Sequence, residues 1–214
     1  MPNTRLILGS KSPRRQALLS ELGFPVEIRI DEVEEIYPEH LEPENVPEYL
    51  AKLKSQSLIS KLSDNEILVT ADTVVLLDKK VLGKPKDRSE SIEMLQNLSG
   101  KMHTVVTGVC LTSNQKQYCF STKTDVYFSK LTQPEMEHYI DQFSPFDKAG
   151  SYGIQEWIVF SCAKSSDLKF HASKTTTSGR NDNASSTETI FIALPGVIKP
   201  CFQALLSAIA KMWS

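Results

Sequence analysis

Two hydrophobic periods interleave along the chain and predict strands that alternate with helices. Short apolar or alternating runs predict strands, at Arg5–Leu8, Val26–Ile30, Ile67–Leu77, Lys80–Leu82, Thr104–Leu111, Tyr118–Phe128 and Ile158–Cys162. Apolar residues at helical spacing predict helices, at Pro13–Leu22, Val46–Leu62, Asp87–Leu98, Thr132–Phe143 and Phe202–Trp213. Because several strands are joined by hairpin-length turns, the pattern favours a mixed α/β or α+β sheet over a purely parallel one.

Capping residues mark where three of these helices begin. Ser12 is a favourable N-cap, and Pro13 suits the first helical position. Asp87 caps the third helix. Thr132 and Glu135 have the spacing of a capping box. These signals predict the amino ends of the helices more sharply than periodicity alone.

A polar tract over 165–189 differs from everything around it. It is rich in Ser, Thr and Asn and offers almost no apolar side chain to bury. We interpret it as a mobile surface insertion. A chain of 214 residues is long enough for one good-sized domain over 1–214 or for a two-lobed one.

Composition and charge exclude several classes of function. Hydrophobic residues make up 40% of the chain, charged residues 23%, and the net charge is −2, so no overall positive field attracts nucleic acid or an anionic membrane. No apolar run approaches the roughly 20 residues of a membrane span, and no secretory signal is recognisable. The four cysteines show no CxxC pair, so reduced thiols in a cytoplasmic protein are expected.

Two adjacent cations, Arg14 and Arg15, follow a strand and a small polar turn. They occupy the first turn of a helix, where the helix dipole is positive and acidic residues would be favoured. With Ser10, Ser12 and the free backbone N–H groups, they would form a cup for a phosphate chain. Solvated surface arginines are the alternative, and the pattern alone leaves both open.

Asp72 lies inside the apolar strand run "VTADTVVLL". A carboxylate in such a position is costly unless it is paired or metal-bound, which favours a metal ligand or a general base. The alternative is a bulge in which Asp72 accepts hydrogen bonds from local backbone N–H groups.

Weaker signals come from two turns and one acidic stretch. Lys84 in "VLGKPKD" is held by a Gly–Pro turn and could neutralise a phosphate, although turn lysines are usually solvated. Gln155 in "FDKAGSYGIQ" could read the edge of a pyrimidine base, although a plain loop is the simpler interpretation. Glu35 lies in an acidic stretch that usually indicates a solvated face.

Taken together, these segments resemble the Maf family of nucleoside triphosphate pyrophosphatases. The motifs stand in family order over roughly Leu6 to Trp157. They are "GSKSPRRQALLSELG", "VEE", "YLAKLKS", "TADTVV", "LGKP", "LSGKMHTVVTGV" and "DKAGSYGIQ". The resemblance implies an elongated mixed sheet flanked by helices, in two lobes with a central cleft, as in the Maf and ITPase-like folds.

The resemblance also implies an activity and a set of site residues. The activity is hydrolysis of a nucleoside triphosphate to the monophosphate and pyrophosphate with Mg²⁺ or Mn²⁺, in a protein that often forms homodimers. Asp72 matches the proton acceptor, and Arg14, Thr73 and Gln155 carry the pattern of the subgroup that acts on dTTP and UTP. The other matching cleft residues are Ser10, Arg15, Glu35, Lys54 and Lys84. We expect Glu35 and Asp72 to hold the metal, Lys84 to assist catalysis and the remaining cations to bind the triphosphate.

The chain departs from the family pattern after Trp157. The polar tract replaces a short turn, and "ALPGV" stands where the family has a Gly-Leu-Pro segment. A nucleotide-binding regulator without turnover is therefore the alternative function.

Overall fold

A computed structural model describes residues 5–20, 25–153 and 156, and the backbone of 173–179 and 189–191. The strand predicted at Ile158–Cys162 and the helix predicted at Phe202–Trp213 lie outside these residues.

Eight strands form one sheet among the described residues. Their bounds are β1 Arg5–Leu8, β2 Val26–Ile28, β3 Glu66–Leu77, β4 Lys80–Leu82, β5 Met102–Thr112, β6 Gln117–Tyr127, β7 Ser173–Gly179 and β8 Thr189–Phe191. The strand order is β2-β1-β3-β5-β6-β7-β8, and β4 pairs with β3. β1 runs parallel to β2 and β3, whereas the other pairs are antiparallel. The mixed sheet expected from the sequence is confirmed.

Four α-helices accompany the sheet in the described part of the chain. Their bounds are α1 Pro13–Ser20, α2 Val46–Leu58, α3 Arg88–Leu98 and α4 Gln133–Phe143. α1 begins at Pro13 as predicted. Asp87 caps α3 by accepting from the Glu90 N–H, and Thr132 forms the predicted capping box at α4. α2 ends earlier than predicted, because a 3-10 turn takes over at Ile59–Lys61.

Alternation along β3 divides the core between the two faces of the sheet. On one face, Val69 packs with Leu19 of α1, and Val75 packs farther along with Leu95 of α3 and Ile140 of α4. On the other face, Val74, Leu76 and Val106 pack against Val46 and Leu50 of α2. The first face is therefore covered at its two ends by different helices, and the stretch between them is left open.

The polar tract contributes to the sheet. Its residues Ser173–Gly179 form β7, which pairs antiparallel with β6. The sequence pattern predicts no strand here, and the mobile surface insertion over 165–189 stays a prediction. The β-branched threonines at 175–177 favour an extended backbone, and the backbone pairing with β6 and β8 does not require an apolar side-chain pattern. One domain spanning 1–214 stays a prediction.

A disulfide joins Cys110 and Cys119, where reduced thiols were expected. The prediction was wrong for this pair because the cysteines are nine residues apart and show no recognisable sequence spacing. The β5–β6 hairpin places them directly opposite each other, with a Cα–Cα distance of 4.1 Å. Cys162 and Cys201 lie outside the described residues.

None of the helices in the described part of the chain has the length and apolarity of a membrane span.

Gly108 permits the close approach of α2 to the sheet. A Cβ built at Gly108 would lie 2.2 Å from the backbone nitrogen of Glu48 and 2.3 Å from the carbonyl carbon of Pro47. Backbone atoms cannot move aside as a flexible side chain can. We therefore expect Gly108→Ala to lower the free energy of unfolding by about 1–3 kcal/mol or more through overpacking, measured by urea denaturation.

Gly83→Ala is the matched control, since nothing lies within 4 Å of the corresponding Cβ. An equal loss of stability in the two variants would contradict the close packing inferred for Gly108.

Candidate active site

A cleft of about 820 Å³ occupies the open stretch between α1 and the α3–α4 pair. Its floor includes the threonines Thr73, Thr107 and Thr122 from three neighbouring strands. Eight of the nine site residues predicted from the sequence line it, namely Ser10, Arg14, Arg15, Glu35, Lys54, Asp72, Thr73 and Lys84. Gln155 lies outside the described residues.

A gap in strand pairing brings both faces of β3 to this cleft. On its outer edge, β3 pairs with β1 as far as Val69 and with β4 from Val75 onward. The residues between Val69 and Val75 have no strand partner on that edge in the described part of the chain. Asp72 and Thr73 point to opposite faces by alternation, yet both line the cleft because no neighbouring strand separates them on this side.

Arg15 is part of the wall of the cleft. Its guanidinium donates to Ser10 Oγ at 3.3 Å, to the Ala71 carbonyl at 3.0 Å and to Thr73 Oγ1 at 3.2 Å. It thereby ties the turn after β1 to the middle of β3. The helix dipole disfavours a cation here, and these acceptors offset that cost.

Arg14 and Lys84 have a different setting from that of Arg15. Both are exposed and line the cleft, Arg14 from the first turn of α1 and Lys84 from the segment after β4. Because water surrounds them and their side chains are long, they can reach an anion that enters the cleft at little structural cost.

Lys54 joins two carboxylates that are distant in sequence. Its ammonium lies 2.8 Å from Glu35 Oε1 and 2.5 Å from Asp72 Oδ1. The side chain of Asp72 is 12% exposed, that of Lys54 19% and that of Glu35 46%. Asp72 is thus paired with a lysine of α2, the helix that packs on the same face of the sheet. The register of β3 with β5 is unbroken at Asp72, so the alternative of a bulge does not apply.

The two carboxylates differ in acidity because their surroundings differ. Burial raises the pKa of Asp72 above its usual value, although the charge and hydrogen bond of Lys54 oppose the shift. Burial also acts to raise the pKa of Glu35. There the hydrogen bond and charge of Lys54, with the charges of Lys84 and Arg15, outweigh it and lower the pKa. Asp72 is therefore the more basic of the pair.

The carboxylates fit a hard divalent cation, because their oxygens converge on one point. No group of three or more His, Cys, Asp or Glu side chains suited to a metal occurs among the described residues. A cation held by Glu35 and Asp72 would take its remaining ligands from water and from a substrate, as Mg²⁺ usually does.

Sequence reasoning missed several residues of the cleft. The hydroxyls of Thr107 and Thr73 share a hydrogen bond, with their oxygens 3.1 Å apart. Thr122 and Thr124 extend the floor along β6. Thr122 and Thr124 alternate along β6, and Thr107 is paired in register with both Thr73 and Thr122. Lys148 also lines the cleft and forms an ion pair with Glu156 at 3.0 Å. It stands in the quoted motif "DKAGSYGIQ" but was not singled out there.

The comparison with protein families agrees with this geometry. The sequence model of the family described as "Maf-like protein" matches residues 5–170, which is most of the chain. The chain belongs to this family. The resemblance inferred from the ordered motifs is therefore confirmed.

Curated relatives of this Maf-like chain are close to half identical to it over about three quarters of its length. A protein of Christiangramia forsetii named "dTTP/UTP pyrophosphatase" is 48% identical over 74% of this chain and 81% of its own length. Proteins with the same name are 45% identical in Bacteroides thetaiotaomicron and 47% identical in Flavobacterium psychrophilum. These two matches cover 78% and 73% of this chain, and 87% and 80% of the relatives.

Similarity to solved structures is distant. The Ham1 protein of Staphylococcus aureus covers 58% of the Maf-like chain and is itself covered to 71%, with 13% identity and a TM-score of 0.41.

Substitutions of the two arginines of α1 are expected to differ in their effect on stability. Arg15→Met removes three hydrogen bonds from a half-buried guanidinium. We expect it to lower the free energy of unfolding by roughly 1–3 kcal/mol, because acceptors in the cleft wall lose their donor.

Arg14→Met is the matched control in the same helical turn. Because Arg14 is exposed, we expect a change within about 0.5 kcal/mol. Urea denaturation of both variants measures the difference, and a larger loss for Arg14→Met would contradict the structural role given to Arg15.

Proposed function

We propose that this chain hydrolyses nucleoside triphosphates to the monophosphate and pyrophosphate, with dTTP and UTP as its substrates. The observation that carries the proposal is that one cleft combines exposed cations, Arg14 and Lys84, with the buried carboxylate of Asp72. The volume of the cleft falls in the range of small-molecule sites, about 300–1,000 Å³. The curated relatives named "dTTP/UTP pyrophosphatase" support the same activity and the same substrates.

The triphosphate binds between α1 and the segment after β4 in this proposal. Arg14 and Lys84 approach its oxygens from these two elements, and guanidinium and ammonium groups are the usual partners of phosphate. Arg15 keeps the turn at Ser10 in place, so that the N-terminus of α1 presents its backbone N–H groups to the anion. These groups offset the negative charge that would otherwise exclude a polyanion from a pocket containing two carboxylates.

Asp72 is the proton acceptor. Its raised pKa makes it a better base than an exposed aspartate, and its position at the gap in β3 pairing gives it access to the cleft. It therefore takes a proton from the attacking water while the water oxygen bonds to phosphorus. The bridging P–O bond between the α and β phosphates breaks, and the monophosphate and pyrophosphate separate. Glu35 has a lowered pKa and stays ionised beside Lys54. The ion pair of Glu35 and Lys54 therefore persists while Asp72 gains and loses a proton.

Glu35 and Asp72 would hold a Mg²⁺ or Mn²⁺ ion. Such an ion supplies neutralisation of phosphate charge and a lower pKa for a water molecule. Base selection is assigned to Arg14, Thr73 and Gln155. Of these, Thr73 lies on the cleft floor with its hydroxyl fixed by Arg15 and Thr107. The role of Gln155, a homodimeric state and a cytoplasmic location stay predictions.

A panel of nucleoside triphosphates tests the activity. The purified chain is incubated with dTTP, UTP, CTP, ATP and GTP in the presence of Mn²⁺, and released pyrophosphate is measured. We expect release from dTTP and UTP ahead of the others, and loss of release when EDTA is added. Binding of UTP without any pyrophosphate would favour the nucleotide-binding regulator instead.

Asp72→Asn tests the proton acceptor. An amide has nearly the same size as a carboxylate but cannot accept the proton. We therefore expect kcat for UTP to fall about 10²–10⁴-fold while α,β-methylene-UTP, which resists cleavage between the α and β phosphates, still binds by calorimetry.

Asp78→Asn is the matched control for this substitution. Asp78 lies in the turn between β3 and β4, is exposed and has a φ of 49°, which asparagine tolerates. Turnover by Asp72→Asn at the rate of Asp78→Asn would refute the assignment of Asp72.

A further inference from the structure

Lys54 has a position unlike that of the other cations of the cleft. Its ammonium contacts Glu35 and Asp72 at once, at 2.8 and 2.5 Å. These are the two carboxylates assigned to the divalent cation. A single positive charge of the protein therefore lies where that cation would meet the same oxygens, which it would approach to about 2.0–2.6 Å.

The backbone of Lys54 is fixed, whereas its side chain has room to move. α2 is held to the sheet by buried Val46, Leu50 and Leu58, and by a 2.7 Å hydrogen bond from the hydroxyl of Thr70 to the carbonyl of Ala51. A lysine side chain has four rotatable methylene carbons. The ammonium can therefore leave the carboxylates without any movement of α2.

The charges explain why one cation must occupy this place at all times. Two carboxylates next to each other repel, and the buried one is costly without a partner. Lys54 supplies that partner in the protein alone. A divalent ion added beside the ammonium would place like charges in contact, unless an anion such as a triphosphate separated and neutralised them.

We propose that Lys54 acts as a stand-in for the divalent cation in the nucleotide-free protein, and that it turns to the phosphates when cation and triphosphate enter together. The proposal rests on the proposed function, because it assigns the metal to Glu35 and Asp72. It goes beyond that function in giving an order of binding: the protein alone has little affinity for the metal, and the nucleotide brings it in.

Binding of Mn²⁺ to the full chain without nucleotide tests this role. Electron paramagnetic resonance of free Mn²⁺ gives the affinity without any turnover. Lys54→Met keeps an unbranched side chain, one heavy atom shorter, and removes the charge. We expect it to bind Mn²⁺ about tenfold or more tightly than the unaltered protein, because the competing charge in direct contact is gone.

Two lysines provide matched controls with the same substitution. Lys52→Met changes an exposed residue of α2 and is expected to leave the affinity unchanged. Lys84→Met removes a charge that acts on Glu35 without contacting it, and is expected to change the affinity less than about threefold. The gain in Mn²⁺ affinity expected for Lys54→Met must also disappear in the double variant Lys54→Met/Asp72→Asn, since one of the two carboxylates is then missing.

Several outcomes would overturn the proposal. One is an affinity of Lys54→Met that equals that of the unaltered protein. Another is an equal gain in Lys84→Met, which would indicate the general field of the cleft rather than occupancy of one place. If Lys54→Met does not fold, Lys54→Gln decides by the same comparison, because its neutral amide still donates to the carboxylates.

Failure of this proposal is distinguishable from failure of the proposed function. Pyrophosphate release by the unaltered chain and its loss in Asp72→Asn, together with an unchanged Mn²⁺ affinity in Lys54→Met, would leave the function standing and remove the stand-in role. Absence of pyrophosphate release from every triphosphate would contradict the function itself.

Discussion

The ion cluster of Lys54, Glu35 and Asp72 is the interaction on which the rest of the site depends. A carboxylate as buried as Asp72 is stable in a sheet only if a positive charge lies against it. That charge comes from α2, on the opposite face of the sheet from the helices that bound the cleft. The packing of α2 therefore sets the position of the chemical groups, and its residues Lys54 and Leu58 themselves line the cleft.

Strand pairing makes this cluster accessible from the cleft. Had β1 or β4 continued along β3, Asp72 would have been sealed between the sheet and α2. Their separate ends leave the edge of β3 open between Val69 and Val75, so that residues of both faces share one space. Gly108 lets the first turn of α2 lie tightly against this part of the sheet, close to Asp72. The fold thus combines a buried carboxylate with exposed cations, because one edge of β3 has no strand partner there among the described residues.

Local patterns predict the elements of this fold well, whereas contacts between distant segments are not encoded locally. The starts of α1, α3 and α4 follow from their caps, and β1 and β4 have the predicted bounds because short apolar runs end at clear turns. Periodicity could not predict that Cys110 faces Cys119, or that the polar tract supplies β7, since both depend on strand register. The motifs identify Arg15 and Lys54 as site residues, but not that one supports the wall and the other bridges two carboxylates. Those roles depend on contacts 18 to 58 residues apart in sequence.

A structure of the complete chain with Mn²⁺ and α,β-methylene-UTP tests the central claim most directly. The anomalous signal of manganese locates the cation independently of the protein atoms. The account predicts manganese between Glu35 and Asp72, with the ammonium of Lys54 moved onto the phosphates and Arg14 and Lys84 on the same triphosphate. Manganese bound elsewhere, with Lys54 still between the two carboxylates and the nucleotide outside the cleft, would contradict it.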